Sequence, residues 1–276
     1  MSTRCDLRQR ASLAGTVISG AVDCGRPRHA GDRSKVLLAG WEMLGISLTS
    51  SAEGNDPVKL VIFDFDGTLV DSRKLIIEAH RVVFDEFGLT RPSEDESLSL
   101  IGISLQLVLS RLAGADAPIG KMVAAYQRWL PLLRADDAYA EVPFDGAADL
   151  LTALAERHGV VLGLATGHVS HAVVPALERF GWRSHFRTIQ TADKAPSKPH
   201  PGMLLQALGE AHVDAQDAIM VGDTAFDMEM AQAAGVRGVA VTWGYHRADR
   251  LRDTGASRIV NDVSELRDYL LEAIAR

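Results

Sequence analysis

Residues 58–72 read VKLVIFDFDGTLVDS: a nearly unbroken apolar run, Val58–Phe63, that ends in carboxylates and a glycine. An apolar run this short, closed by acids and a turn residue, is expected of a strand buried on both faces of a parallel sheet. Residues two apart on an extended chain face the same side, so Asp64 and Asp66 are expected to converge at the strand's carboxyl end. Gly67 lets the backbone turn sharply just after them. Paired carboxylates are costly without a cation or a phosphate electrophile beside them. Taken singly, the pair fits a solvated turn as well.

Further along the chain, four similar runs follow, Val160–Ala165, Phe186–Gln190, Ala218–Val221 and Gly238–Thr242, with a weaker one at Arg258–Val260. Helical spacing separates them, in Leu150, Leu151 and Leu154, in Val173, Val174 and Leu177, and in Leu204, Leu205 and Leu208. Strand–helix alternation predicts an α/β fold with a doubly wound parallel sheet. In such sheets ligands sit at the carboxyl ends of the strands, near a topological switch point. Between the first strand and Val160 there is no convincing strand, and the spacing predicts helices over Arg73–Phe87, Ser97–Leu112 and Pro118–Leu133. Compact domains rarely hide such a length in loops, so an inserted helical subdomain is expected, with exits near Asp71 and around Val142–Phe144.

Three more signals lie at predicted strand ends or beside them. Val160–Ala165 runs into Thr166-Gly167, whose hydroxyl and backbone N–H suit phosphate oxygens near a helix start, although an ordinary N-cap has the same look. Lys198 sits in Ser197-Lys198-Pro199-His200-Pro201, where flanking prolines stiffen the loop; most lysines are simply solvated. Ala218–Val221 ends in GDTAFD, and Asp223 and Asp227, four apart, can aim at one cation from a turn into a helix. Each signal is ordinary alone. Their fixed order on successive strands of one predicted sheet is not.

DFDGTLVDS, LATG, SKPHP and GDTAFD resemble, in order, the four motifs of the haloacid dehalogenase superfamily of phosphohydrolases. The likeness covers about residues 58–275, and it is nearest to members of the phosphoglycolate phosphatase type. It implies a HAD-like Rossmannoid core over 57–71 and 144–276 and a small helical cap over 72–143. It also implies a Mg²⁺-dependent phosphatase acting on a small phosphorylated metabolite, with phosphoglycolate a candidate. Asp64 would be the nucleophile that forms an aspartyl-phosphate, and Asp66 the acid and base toward leaving group and water. Thr166, the Gly167 amide and Lys198 would hold phosphoryl oxygens. Mg²⁺ would take Asp64, the Asp66 carbonyl and Asp223, with Asp227 behind them. The Ile101–Ser104 turn would reach down to the site, unless it is only a helix break. A sugar-phosphate mutase of the same superfamily and a non-catalytic phosphometabolite-binding protein are the alternatives. Asp66 argues against a dehalogenase, Thr68 leans toward phosphatases, and the complete acid set argues against a pure binder. One departure is His168, where many relatives carry a lysine.

Composition bounds the rest. The 276 residues hold 29 Lys+Arg and 36 Asp+Glu, a net of −7, with 47% hydrophobic residues. That balance suits a chain with a real core and leaves nucleic acid out as a bulk partner. No apolar run approaches the ~20 residues of a membrane span. Cys5 and Cys24 make no scaffold or zinc spacing. His168 and His171, three apart, have no third zinc ligand nearby. His200 reads as a loop residue, Met228 and Met230 as helix packing, and Trp243-Gly244-Tyr245 as either loop packing or a pocket floor. Residues 1–56 are near neutral, at +1, so the remainder carries −8. They read as a disordered or misassigned extension, with Met43 an alternative start; ASLAGTVISGAV is too interrupted for a signal peptide. A cytoplasmic monomer or homodimer is expected.

Overall fold

The computed structural model describes residues 59–275 except Ala115, so the extension at 1–56 and the Met43 start lie outside the described residues. In chain order it runs β1 (Lys59–Phe63), β2 (Val70–Asp71), α1 (Arg73–Glu86), α2 (Glu94–Leu98), α3 (Leu105–Ala113), α4 (Ile119–Arg134) and β3 (Val142–Pro143). Then come α5 (Ala147–Ala155), β4 (Val160–Ala165), α6 (Ser170–Arg179), β5 (Phe186–Gln190) and α7 (Gly202–Ala211). The chain finishes with β6 (Ala218–Gly222), α8 (Ala225–Ala233), β7 (Arg237–Val241), α9 (Ala248–Arg252), β8 (Arg258–Val260) and α10 (Val263–Ile274).

Six strands form one parallel sheet in the order β5-β4-β1-β6-β7-β8. The pleat of β1 explains the two flanking layers. Val61 and Phe63 join a cluster with Leu150 and Leu154 of α5, Leu177 of α6 and Leu270 of α10. Leu60 and Ile62 point the other way, into Met203, Leu204 and Ala207 of α7 and Met230 of α8. A fully buried Leu, Ile or Phe contributes roughly 1.5–3 kcal/mol, so burial on both faces explains why β1 reads as an unbroken apolar run. The doubly wound parallel α/β sheet expected from the sequence is the observed one. Because β1 lies between β4 and β6, the direction of winding reverses there, and the carboxyl ends of these three strands meet.

Four helices, α1 to α4, occupy the chain between β2 and β3, and three of them share a separate apolar cluster, with Leu75 and Phe84 of α1, Leu109 of α3, and Met122 and Leu130 of α4. Two details differ from expectation. The helix expected over Ser97–Leu112 is two helices, because Gly102 adopts φ +102° and Ser104 is extended before α3. The first of them starts earlier, at Glu94, where Ser93 and Glu96 form a reciprocal capping box. A two-residue antiparallel pair, β2 with β3, also joins Val70–Asp71 to Val142–Pro143. Strands so short leave no periodic signal. Leu205 is 52% exposed although Leu204 and Leu208 are buried, since adjacent helical residues diverge by about 100°. Among the described residues no helix is long and apolar enough to cross a membrane.

Candidate active site

Asp64 continues β1 by one residue, its N–H donating to the Val221 carbonyl at 2.9 Å. This pairing fixes its carboxylate at the sheet's end, where it is 1% exposed. Oδ1 accepts from the Phe65 N–H at 2.7 Å and lies 2.8 Å from Lys198 Nζ. Oδ2 is buried with no partner. Lys198 arrives from the loop before α7, wholly buried, and also donates to Asp227 Oδ1 at 2.6 Å. The other oxygen of Asp227 accepts from Thr224, N–H at 3.1 Å and hydroxyl at 2.6 Å, so the capping box that starts α8 also aims Asp227 at the lysine. Asp223 is held from two sides, accepting from the Thr68 hydroxyl at 2.9 Å and from the Tyr245 N–H at 2.8 Å.

Burial and mutual repulsion oppose full ionisation of these acids, even beside Lys198. Burial above all, then Asp227 and Asp223, pushes Asp64 well above the usual carboxylate range, against the opposing pull of Lys198. Burial and Asp227 push Asp223 up to about 7, although Tyr245 and Thr68 oppose it. Burial would lower Lys198, but Asp227 and Asp64 outweigh it and keep the ammonium charged. One oxygen from each of Asp64, Asp223 and Asp227 lies within 4.8 Å of the others. An all-oxygen set with an orphaned buried oxygen at Asp64 fits a hard divalent cation.

Asp66 points elsewhere. Its Oδ2 lies 2.7 Å from His168 Nε2, although the contact does not have the geometry of a hydrogen bond. Burial raises Asp66, yet His168 first, then Ser72 and Arg134, hold it below its ordinary value. Thr166 is buried and its hydroxyl accepts from the His168 N–H at 3.2 Å. Gly167 faces the carbonyls of Gly102 and Ile103, so close that a Cβ would stand 2.5 Å from the Ile103 oxygen. The Ile101–Ser104 turn thus reaches the loops at the strand ends, and the Ser104 N–H donates to Ser197 Oγ at 2.7 Å.

The structure brings Asp64, Asp223, Asp227 and Lys198 into one cluster, with Asp66 and Gly167 on the side facing the helical insert and Thr166 buried next to Gly167. Four contributors are not assigned a role at the site by sequence alone. His168 was noted only as a departure from lysine, though its place directly after Thr166-Gly167 was a usable signal. Tyr245 was weighed as packing or pocket floor, and instead braces Asp223 and accepts from the Ser72 N–H at 2.9 Å. Trp243 donates to the Thr68 carbonyl at 3.1 Å. His246, which no motif marked, accepts from the Ala225 N–H at 2.9 Å and pairs with the Ser99 carbonyl at 3.0 Å. His200 only accepts from Gly202 in its own loop, and Met228 and Met230 are core.

Residues 61–241 match the model of the family described as haloacid dehalogenase-like hydrolase. Among curated proteins, the chain is 34% identical to "Probable phosphatase IndB" of Dickeya dadantii, over 75% of this chain and 91% of that one. It is 31% identical to "Phosphoglycolate phosphatase 1" of Pseudomonas aeruginosa, over 75% and 78%. Among solved structures, the haloacid dehalogenase-like family protein SP0104 of Streptococcus pneumoniae superposes with a TM-score of 0.67 at 25% identity, covering 77% of this chain and 98% of that one.

Proposed function

Since the chain belongs to the haloacid dehalogenase-like hydrolase family and is a phosphoric-monoester hydrolase of the phosphoglycolate phosphatase-like kind, we propose that it works through an aspartyl-phosphate on Asp64, with Mg²⁺ as its metal. The observation that carries this reading is the unpartnered Asp64 Oδ2, buried beside Lys198 where four motif residues converge. A buried acceptor without a donor is costly, and a metal or an incoming phosphoryl group would relieve it.

In the proposed first step, an Asp64 oxygen attacks phosphorus and the bond from phosphorus to the leaving oxygen breaks. That oxygen keeps the electron pair and takes a proton from Asp66, yielding an alcohol; the negative charge of the bound phosphate beside Asp66 would raise its carboxyl from the low value of the free site, so that it enters the step protonated. In the second, water attacks phosphorus, its proton passes to Asp66, and the Asp64–phosphorus bond breaks to release phosphate. Lys198, the Thr166 hydroxyl and the Gly167 amide stabilise the charge on the phosphoryl oxygens. Asp64, the Asp66 carbonyl and Asp223 would hold Mg²⁺, with Asp227 behind them keeping Lys198 in place. Bound there, the metal would neutralise the acid cluster and polarise the phosphoryl group. His168 holds the Asp66 carboxylate on the leaving-group side. We take residues 72–143 as the cap and 57–71 with 144–276 as the core, supported by the insert's separate apolar cluster. A cytoplasmic setting and a monomeric or dimeric state rest on the family resemblance.

The test is phosphate release from a panel of phosphorylated metabolites with and without Mg²⁺. Asp64→Asn is expected to lower kcat by at least about 10³-fold, and EDTA to abolish turnover reversibly. Full activity in Asp64→Asn would overturn the mechanism, and isomerised sugar phosphate without free phosphate would indicate a mutase.

A further inference from the structure

A cavity of about 270 Å³ opens between the helical insert and the strand ends, bounded on the site side by Asp66, Gly167 and His168. Asp64, Thr166, Lys198 and Asp223 do not line it. The cavity is therefore the space beyond the phosphoryl position, on the side where the leaving oxygen takes its proton, and what fits it is the alcohol portion of the ester.

Three features describe that alcohol. First is size: a buried cavity of roughly 150 Å³ already accommodates benzene, so this one holds a ring with substituents and is large for two-carbon glycolate. Second is the wall, formed on the insert side by Ile76, Ile101, Ile103, Val108, Val123 and Leu130. Apolar surface of this kind rewards an apolar ligand face. Third is charge. Among the described residues lining the cavity, Arg134 is the one permanently charged cation, and it is already committed. Its Nη1 donates to the Ala172 carbonyl at 2.9 Å and its Nη2 to Glu141 at 2.9 Å, and the Glu141 side chain is wholly buried. Glu141 is shared with Arg179, so a carboxylate entering the cavity would meet Asp66 on the site side and a guanidinium only partly balanced on the other. For polar recognition the wall offers the neutral side chains of Gln106, Tyr126 and Gln127, with His80 Nδ1, on a side chain 2% exposed, and Arg134 Nε both buried without a partner. Burial lowers His80 to about 4, so its imidazole is uncharged near neutral pH.

We propose that the substrate is a phosphomonoester of a ring-bearing alcohol with a mainly apolar face, in preference to a two-carbon alcohol such as glycolate. This deepens the phosphatase reading above and rests on it. The experiment compares kcat/KM of the Mg²⁺-loaded full chain for benzyl phosphate, 2-naphthylmethyl phosphate, glucose 6-phosphate and phosphoglycolate. All four are alkyl phosphates, so intrinsic leaving-group reactivity differs little. The two aromatic esters are expected to exceed phosphoglycolate by at least about tenfold. Phosphate release led by phosphoglycolate, or by the polar ring of glucose 6-phosphate, would overturn the inference and leave the phosphatase reading standing. No release from any ester, including a broad metabolite panel, would overturn both. Val123→Trp, which fills the cavity from α4, should lower the ratio of naphthylmethyl to glycolate turnover at least about tenfold. An unchanged ratio in a variant that melts like the parent would show that the cavity is not the leaving-group chamber.

Discussion

At the level of single residues, two histidines do work that their positions in the sequence hardly announce. His168 Nε2 stands 2.7 Å from Asp66 Oδ2 and its backbone N–H donates to the Thr166 hydroxyl, so one residue ties the Asp66 carboxylate to the Thr166-Gly167 loop. As a positioning residue it should affect turnover more than binding. His168→Leu is expected to lower kcat about 10²-fold with KM changed less than about threefold, and His168→Gln to recover part of the loss; steady-state kinetics on both variants check this. His246 acts on stability. The Ala225 N–H donates to its Nδ1, so that nitrogen must be unprotonated, and burial with Arg250 lowers the ring to about 4. The folded ring thus titrates below its unfolded value of about 6.5. The unfolded chain binds more protons between those two values, so the stability is present above pH 6.5 and is lost as pH falls toward 4. His80 behaves in the same sense. Each histidine is worth on the order of 1–3 kcal/mol, so the urea midpoint should fall steeply from pH 6.5 to 4.5, and less steeply in His246→Leu.

At the scale of elements, the turn between α2 and α3 links the insert to the strand ends. The Gly102 and Ile103 carbonyls press on Gly167, where they leave no room for a side chain. Gly167→Ala sets a methyl against backbone atoms, which cannot rotate away as a side-chain tip can. We expect about 1–3 kcal/mol of destabilisation, seen as a Tm lowered by roughly 2–10 °C, together with at least tenfold lower kcat/KM. The start of α8 couples fold and site in a similar way. Thr224→Ala removes both the cap and the hydroxyl that aims Asp227, so it should cost about 1–2 kcal/mol and also loosen Lys198. This scale also shows why some elements were legible and others were not. Strands β1, β4 and β6 declare themselves through apolar runs because they are buried on both faces. Helices α2 and α3 merged into one expected helix because their apolar residues continue in phase past Gly102, and no local pattern shows that this glycine takes φ +102°.

Over the whole molecule, Glu141 holds insert and sheet layer together. Its buried carboxylate meets Arg134 of α4 at 2.9 Å and Arg179 of α6 at 2.5 Å. Removing one member of a buried ion cluster strands the others, so Glu141→Ala should cost about 3–5 kcal/mol in denaturant unfolding. The same change would leave Arg134 uncompensated beside the cavity, and relative turnover of phosphoglycolate should rise. By itself the sequence determined the doubly wound sheet and the order of the acidic, threonine and lysine motifs. Both are written locally, in runs of five or six apolar residues and in the few residues at each run's end. Tertiary structure alone decided which charges meet. Lys198 is shared by Asp64 and Asp227, Asp66 turns to His168, and Glu141 is shared by Arg134 and Arg179. Those pairings join side chains from different elements, and their energies depend on burial and angle, which neither spacing nor composition records. The overall charge of −7 is equally silent about them, because Coulomb energies in a buried site are set by the nearest partner and the local dielectric, not by the sum over the chain.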